Sequence, residues 1–96
     1  MQSLVITSSQ IRAGRALLRW SAIELARASG VSIATIKRVE LEQGVPSISV
    51  PLLSAIRSAL EGAGVEFVGE PKRGPGVRLG ATAIPNQPRP RGIRKK

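Results

Sequence analysis

The chain has 96 residues with 15 Lys or Arg against six acidic residues and a net charge of +9, so we expect one small domain and an acidic partner. It contains no Cys, His, Asp or Tyr, which excludes disulfides, thiolate and imidazole metal sites, histidine triads and paired-aspartate chemistry. We therefore expect no catalytic residues, no metal and no cofactor.

The positive charge is concentrated towards the C-terminal end of the sequence. Residues 1–70 hold seven Lys or Arg against six Glu, whereas residues 71–96 hold eight Lys or Arg and no acidic residue. No apolar run reaches the length of a membrane span, and the short N-terminal apolar run lacks the preceding positive charge of a signal peptide. Together with the absence of Cys, this predicts a cytoplasmic, nucleoid-associated protein with no membrane partner.

The first helix is predicted to begin near Ser8. Thr7 and Gln10 have the spacing of a capping box, in which each residue bonds the backbone N–H of the other. Gly14 lies in the middle of this helix at a cost of about 1 kcal/mol relative to Ala, which indicates either close approach of a neighbouring helix or no special role. Trp20, just after the helix, is expected to anchor the core between the first and second helices.

Two short helices joined by a tight turn are predicted next. Ser21 and Glu24 form a second capping box, and Gly30 is suited to a left-handed helix end. Ser32 is expected to cap the following helix, predicted over residues 33–42. Two capped helices with so short a connection must cross steeply, as in a helix-turn-helix unit.

A fourth helix is predicted to be capped by Ser47 or Ser49, with Pro51 in its first turn, and to continue to Glu61. Its apolar residues repeat at helical spacing and are expected to close the core over the first three helices. They are Leu52, Leu53, Ile56, Ala59 and Leu60.

The residues that follow the fourth helix predict a β-hairpin. Residues 65–68 and 77–79 alternate apolar and polar side chains, and residues 69–76 are expected to form a mobile connection carrying Lys72 and Arg73. A two-stranded hairpin is only marginally stable alone. We therefore expect the hairpin to pack on the fourth helix or to pair with a second copy of the chain, which makes it a candidate dimerisation element.

The two-helix unit resembles the phage repressor and Cro (XRE-type) helix-turn-helix proteins at six positions. These are Leu25, Ala26, Gly30, Val31, Ile36 and Val39. The GVEF segment at residues 64–67 and the GPGVRL segment at residues 74–79 are similar to segments that follow the fourth helix in short bacterial regulators of this type. The resemblance covers residues 7–64.

The resulting fold class is mostly α: a four-helix, lambda-repressor-like helix-turn-helix domain, then a short β-hairpin, then a disordered basic tail. These parts are residues 1–64, 65–80 and 81–96. The tail carries five positive charges and three prolines with little apolar content, which predicts disorder. It is interpreted either as a basic arm on DNA or as a solubilising segment.

The resemblance implies sequence-specific binding of double-stranded DNA by a homodimer on an inverted repeat, as a repressor or autoregulator. Its third helix would enter the major groove, where Arg38 can pair with guanine while Ile33 and Ala34 offer only apolar contact. The implied base-reading residues are Ser32, Ile33, Ala34, Lys37 and Arg38. Contacts with the DNA backbone are expected from Ser21, Thr35, Lys72, Arg73, Arg89, Arg91 and Arg94.

The resemblance also implies a structural ion pair between Arg15 in the first helix and Glu40 late in the third. The alternative is that Arg15 faces solvent, where a pair contributes little. The alternative function is a helix-turn-helix-shaped adaptor or antitoxin whose partner is another regulator or a toxin. The nearly neutral body favours that alternative, whereas Lys37, Arg38 and the basic tail oppose it. RNA binding ranks third because aromatic residues make up only 2% of the chain.

Overall fold

The computed structural model describes residues 5–80, in which four helices precede a two-stranded antiparallel sheet. In chain order the elements are α1 Ser8–Leu18, α2 Ala22–Ser29, α3 Ile33–Leu41, α4 Val50–Gly62, β1 Val65–Glu70 and β2 Arg73–Leu79. The prediction of a mostly α chain with a hairpin after the fourth helix is confirmed. The prediction of a disordered tail concerns residues 81–96 and lies outside the described residues. None of the helices within residues 5–80 has the length and apolar content to cross a bilayer.

The first three helices begin where the capping residues predict. The Thr7 hydroxyl accepts from the Gln10 N–H at 3.1 Å, and the Gln10 Oε1 accepts from the Thr7 N–H at 2.9 Å. Ser21 and Glu24 form the same reciprocal box, and the Ser32 hydroxyl accepts from the Thr35 N–H. These caps satisfy backbone donors that have no partner within the helix.

The fourth helix departs from its predicted cap. Ser49 occupies the N-cap position, but its side chain makes no capping hydrogen bond, so the expectation of a serine cap is wrong in its chemistry. Pro51 lies in the first turn and has no N–H, which leaves one donor fewer to satisfy there.

The core is formed by all four helices together with β1. Its fully buried members include Ile11, Leu25, Ile36 and Ile56, one from each helix, and Trp20 is 8% exposed, which confirms its role as a core anchor. Gly14 is a point of close approach as predicted, but the nearest neighbour is strand β1 and not a helix. A Cβ there would lie 3.3 Å from the Val65 Cγ1 and 3.5 Å from the Leu60 Cδ1.

Leu52 is a correction to the predicted core stripe of α4, because its side chain is 38% exposed. The inward face of the helix is set by Leu53, Ile56 and Leu60, which recur at spacings of three and four residues. Leu52 precedes Leu53 by one position and therefore points away from that face.

The hairpin is longer than predicted, so the expected mobile connection over residues 69–76 is wrong. Pairing runs from Val65 opposite Leu79 to Glu70 opposite Arg73, with an irregularity between Val68 and Glu70. The chain reverses at residues 71 and 72, and Gly69 and Gly74 on either side of this turn adopt positive φ values of 73° and 61°, which glycine readily adopts. A Cβ on Gly69 would lie 2.1 Å from the Gly74 carbonyl oxygen, so only glycine fits there.

The hairpin packs against the helices of its own chain. Val65 and Phe67 are buried in the core, and the Arg57 guanidinium of α4 lies 5.5 Å from the centre of the Phe67 ring. The Gln10 amide of α1 donates to the carbonyls of Val68 at 3.1 Å and Gly76 at 2.9 Å. The expectation that the hairpin packs on the fourth helix is therefore confirmed, and α1 provides a second support.

Candidate nucleic-acid interface

An exposed stripe runs along the outer face of α3. Ala34, Lys37, Arg38 and Leu41 are all exposed and recur at spacings of three and four residues, which places them in one row on the helix. The opposite face of α3 is buried in the core through Ile36, Val39 and Glu40. A nine-residue helix with one anchored face and one free face can lay its free face in a groove.

The orientation of α3 is fixed by a bidentate ion pair, which confirms the structural pair between Arg15 and Glu40. The Arg15 Nε and Nη2 donate to the two carboxylate oxygens of Glu40, each at 2.8 Å. The Arg15 Nη1 donates to the Trp20 carbonyl at 2.9 Å, so one guanidinium joins α1, the α1–α2 connection and α3. Arg12 adds a hydrogen bond from its Nη1 to the Glu40 carbonyl.

The Arg15 guanidinium keeps its positive charge because its pKa is raised. The hydrogen bond to Glu40 raises the pKa of Arg15 above its ordinary value, burial lowers it by a smaller amount, and the negative charge of Glu40 raises it further. Because the net direction is upward, the guanidinium stays protonated throughout the neutral range.

Arg38, the predicted guanine reader, is held at the C-terminal end of α3. Its Nη1 donates to the Glu42 Oε2 at 3.1 Å and to the Ser47 carbonyl at 3.4 Å, and the Ser47 N–H donates to the Glu42 Oε1 at 2.8 Å. The Arg38 side chain remains 54% exposed. Within residues 5–80 its Nε and Nη2 have no acceptor, so two donors of the planar fork are free for a base edge.

Glu42 is a residue of the site that the sequence analysis missed. Its signal was present in the sequence, because Arg and Glu four residues apart on a helix form an ion pair. The residue orients Arg38 and also adds a negative charge beside the exposed stripe. Leu41 was missed as well: it is 85% exposed and extends the stripe by one turn beyond Arg38.

The other predicted base-reading residues differ in exposure and in whether their polar groups are already bonded within the chain. Lys37 is exposed and makes no ion pair with any residue in the described part of the chain, while Ala34 is exposed beside it. Ser32 is exposed, but its hydroxyl accepts from the Thr35 N–H and donates to the Thr35 Oγ1 at 2.9 Å. Ile33 is only half-exposed. The structure therefore brings Ala34, Lys37 and Arg38 together on one exposed face of α3.

The predicted backbone contacts fall at three places. The exposed Ser21 hydroxyl accepts from the Glu24 N–H at 3.1 Å and keeps its own proton for a phosphate oxygen, whereas Thr35 is half-buried. Lys72 and Arg73 are exposed at the turn of the hairpin. The remaining predicted contacts lie outside the described residues: Arg89, Arg91 and Arg94.

Ion pairing separates structural cations from free ones. Four arginines are paired with glutamates within residues 5–80: Arg15 with Glu40, Arg38 with Glu42, Arg57 with Glu61 and Arg78 with Glu66. Six cations in the same part of the chain make no ion pair: Arg12, Arg19, Arg27, Lys37, Lys72 and Arg73. Charge available to an anionic partner is therefore supplied by α1, α2, α3 and the hairpin turn, and not by α4.

In the part of the chain that the structure describes, no group of three His, Cys, Asp or Glu side chains gathers as metal ligands. Neither a scan of the sequence against protein-family models nor a search of curated proteins finds a match. The function of the chain is therefore inferred from the chemistry and geometry of its residues.

Proposed function

We propose that the chain is a sequence-specific DNA-binding regulator of the helix-turn-helix type, which acts as a homodimer on an inverted repeat. In each copy α3 enters a major groove and its outer row meets the base edges. Bound across a promoter, such a dimer represses transcription by excluding polymerase, and an operator at its own gene would make it an autoregulator.

The observation that carries this proposal is the state of Arg38. One nitrogen of its guanidinium is fixed by Glu42 and Ser47, while the other two have no protein acceptor within residues 5–80. Since a bidentate contact with guanine needs two parallel donors in a fixed plane, a held arginine with a free edge suits that role. Lys37 lies on the same row and supplies a charge for a phosphate or base.

The frame around α3 also supports the proposal. The serine cap at Ser32, the left-handed Gly30 and the bidentate Arg15–Glu40 pair hold α3 at a set angle to α1 and α2. A rigid frame lowers the entropy lost when a reading helix is placed in a groove. The unpaired cations on other elements add affinity for phosphate without sequence preference.

The proposal is tested by selection from a pool of duplexes with a randomised centre, followed by footprinting on the DNA upstream of the chain's own gene. We expect an enriched inverted repeat, and a loss of about 5- to 150-fold in affinity for it in Arg38→Ala, as for one lost bidentate base contact of about 1–3 kcal/mol. Arg78→Ala is the matched control, because Arg78 is also an exposed arginine paired with a glutamate, Glu66, but lies on the hairpin. A pool without enrichment, or equal losses in both variants, would refute the proposal.

A protein-interaction role is the second candidate, as an adaptor or antitoxin that binds another regulator or a toxin. The observation that favours it is apolar exposure beside the stripe: Leu41 at the end of α3 is 85% exposed, and Ile23 on α2 is 52% exposed. This role predicts that Ile23→Ser abolishes capture of the partner while Lys37→Ala does not. DNA recognition predicts the reverse order for operator binding.

A further inference from the structure

An apolar surface lies where α3 passes into α4. It consists of Leu41 at the end of α3, Val45 in the connection and Val50 at the start of α4, which are 85%, 41% and 79% exposed. We refer to these three residues as the junction patch. Two of them are among the most exposed large apolar side chains within residues 5–80, and all three fall within ten consecutive residues.

The connection is folded back on α3, which places Ser47 beside Arg38 and Glu42. The Arg38 Nη1 reaches the Ser47 carbonyl at 3.4 Å, and the Ser47 N–H donates to Glu42. Leu41 lies one turn after Arg38 on the same row of α3, and Val50 lies three residues after Ser47. The Gly44 carbonyl accepts from the Ser8 N–H at 2.8 Å, which fixes the middle of the connection against α1.

The stretch that carries the junction patch has no cation of its own, and the nearest ones are Lys37 and Arg38 on the preceding turn of α3. Residues 39–56 contain no Lys or Arg, and their two acidic residues, Glu40 and Glu42, are both in ion pairs. The six cations that make no ion pair all lie outside this stretch. A surface that meets its own copy across a two-fold axis brings like charges together, so a neutral apolar surface suits that contact and a basic one does not.

We propose that the junction patch is the surface through which two copies of this chain associate. This inference deepens the proposed function by naming its dimer contact, and it rests on that function only for the expectation of a dimer. The hairpin has less need of a second copy, because Val65 and Phe67 are already 2% and 3% exposed within one chain. Leu41 is the last residue of α3, so pairing here turns the C-terminal ends of the two α3 helices towards the two-fold axis.

Val50→Glu tests the proposal in the full chain, in sedimentation without DNA. Val50 is the first residue of α4, where a carboxylate interacts favourably with the helix dipole, so the change preserves the fold while setting two negative charges against each other. We expect the dimer dissociation constant to rise at least about tenfold. Ile23→Glu is the matched control: it changes an exposed apolar residue on α2 in the same way and leaves the dissociation constant unchanged.

Mixing two oppositely charged variants tests whether the contact is self-complementary. Val50→Glu and Val50→Lys are each expected to sediment as monomers, whereas an equimolar mixture of the two forms a heterodimer because the charges at the junction become opposite. A wild-type chain that remains monomeric up to high micromolar concentration would overturn the proposal and leave the patch to a foreign protein. So would a wild-type dimer that Val50→Glu does not weaken. Because no DNA is present, these outcomes are independent of whether the chain binds an operator.

Discussion

Removal of Arg15 is expected to destabilise the fold more than removal of Glu40, although the two side chains form one ion pair. In Arg15→Ala the Glu40 carboxylate, whose side chain is 9% exposed, loses both of its arginine hydrogen bonds, and the Trp20 carbonyl loses its donor. In Glu40→Ala the arginine side chain is 26% exposed and keeps the Trp20 carbonyl as an acceptor. The surviving group is therefore better compensated when the glutamate is removed.

These geometries set the magnitudes. An uncompensated buried charge costs about 3–5 kcal/mol, and the partial exposure of the pair places Arg15→Ala at the lower end, at about 3 kcal/mol. We expect about 1–2 kcal/mol for Glu40→Ala and about 2 kcal/mol for the double variant, because that variant leaves no charge without a partner. The coupling energy in the double-mutant cycle is then about 2–3 kcal/mol.

Urea unfolding measures these differences, with the buried Trp20 as reporter because it is the only tryptophan in the chain. With a slope of about 1 kcal/mol per molar urea for a small domain, Arg15→Ala lowers the midpoint by about 3 M. Arg15→Lys keeps the charge but not the planar fork, so we expect an intermediate loss. Additive single and double variants, or a larger loss for Glu40→Ala than for Arg15→Ala, would refute this account of the pair.

Three further predictions follow from other contacts. Glu42→Ala removes both the acceptor that orients Arg38 and a negative charge beside it, so we expect tighter binding to random duplex DNA and weaker discrimination at one base pair of the selected site. Glu42→Gln keeps an acceptor and should keep the discrimination. Loss of discrimination in Glu42→Gln would show that orientation is not the role of Glu42. Gly69→Ala places a Cβ 2.1 Å from the Gly74 oxygen, whereas a Cβ on Gly74 meets nothing within 4 Å. In thermal unfolding Gly69→Ala should therefore cost more stability than Gly74→Ala, for which we expect roughly 1–2 kcal/mol. Equal losses of stability would contradict the contact at Gly69. Deletion of residues 81–96 removes five positive charges, so the slope of log affinity against log salt should become shallower by up to about 0.9 per lost phosphate contact, while an unchanged slope would favour the solubilising interpretation of the tail.

The parts of the fold that were predictable from the sequence are those set by neighbours in the chain. The boxes at Thr7 and Ser21 and the left-handed Gly30 depend on residues three or four positions apart, and all were located correctly. The position of the Arg15–Glu40 pair came from the family resemblance and not from the local pattern, since the two residues are 25 positions apart.

The parts that were not predicted depend on contacts that the local pattern does not encode. The sequence predicts a shorter hairpin because Gly and Pro between residues 69 and 76 indicate a loop, whereas the strands pair as far as Glu70 and Arg73 and turn within two residues. The engagement of Arg38 depends on Ser47, which reaches α3 only because the connection folds back. The junction patch spans two helices and the connection between them, so the periodicity of a single helix does not locate it.

The hydrogen bonds of the Gln10 side-chain amide affect the order in which the parts of the chain can fold. It helps to cap α1, yet its nitrogen donates to carbonyls 58 and 66 residues further along the chain. Contacts across such long separations require loop closure before they contribute stability, which slows folding relative to a bundle held by local contacts. During synthesis the helices emerge first, but the side-chain nitrogen of Gln10 lacks its two carbonyl acceptors, and Gly14 lacks its contact with Val65, until β1 and β2 leave the ribosome. The packing of α1 is thus completed only with the hairpin, and a nascent chain without its hairpin presents an incomplete core to chaperones and proteases.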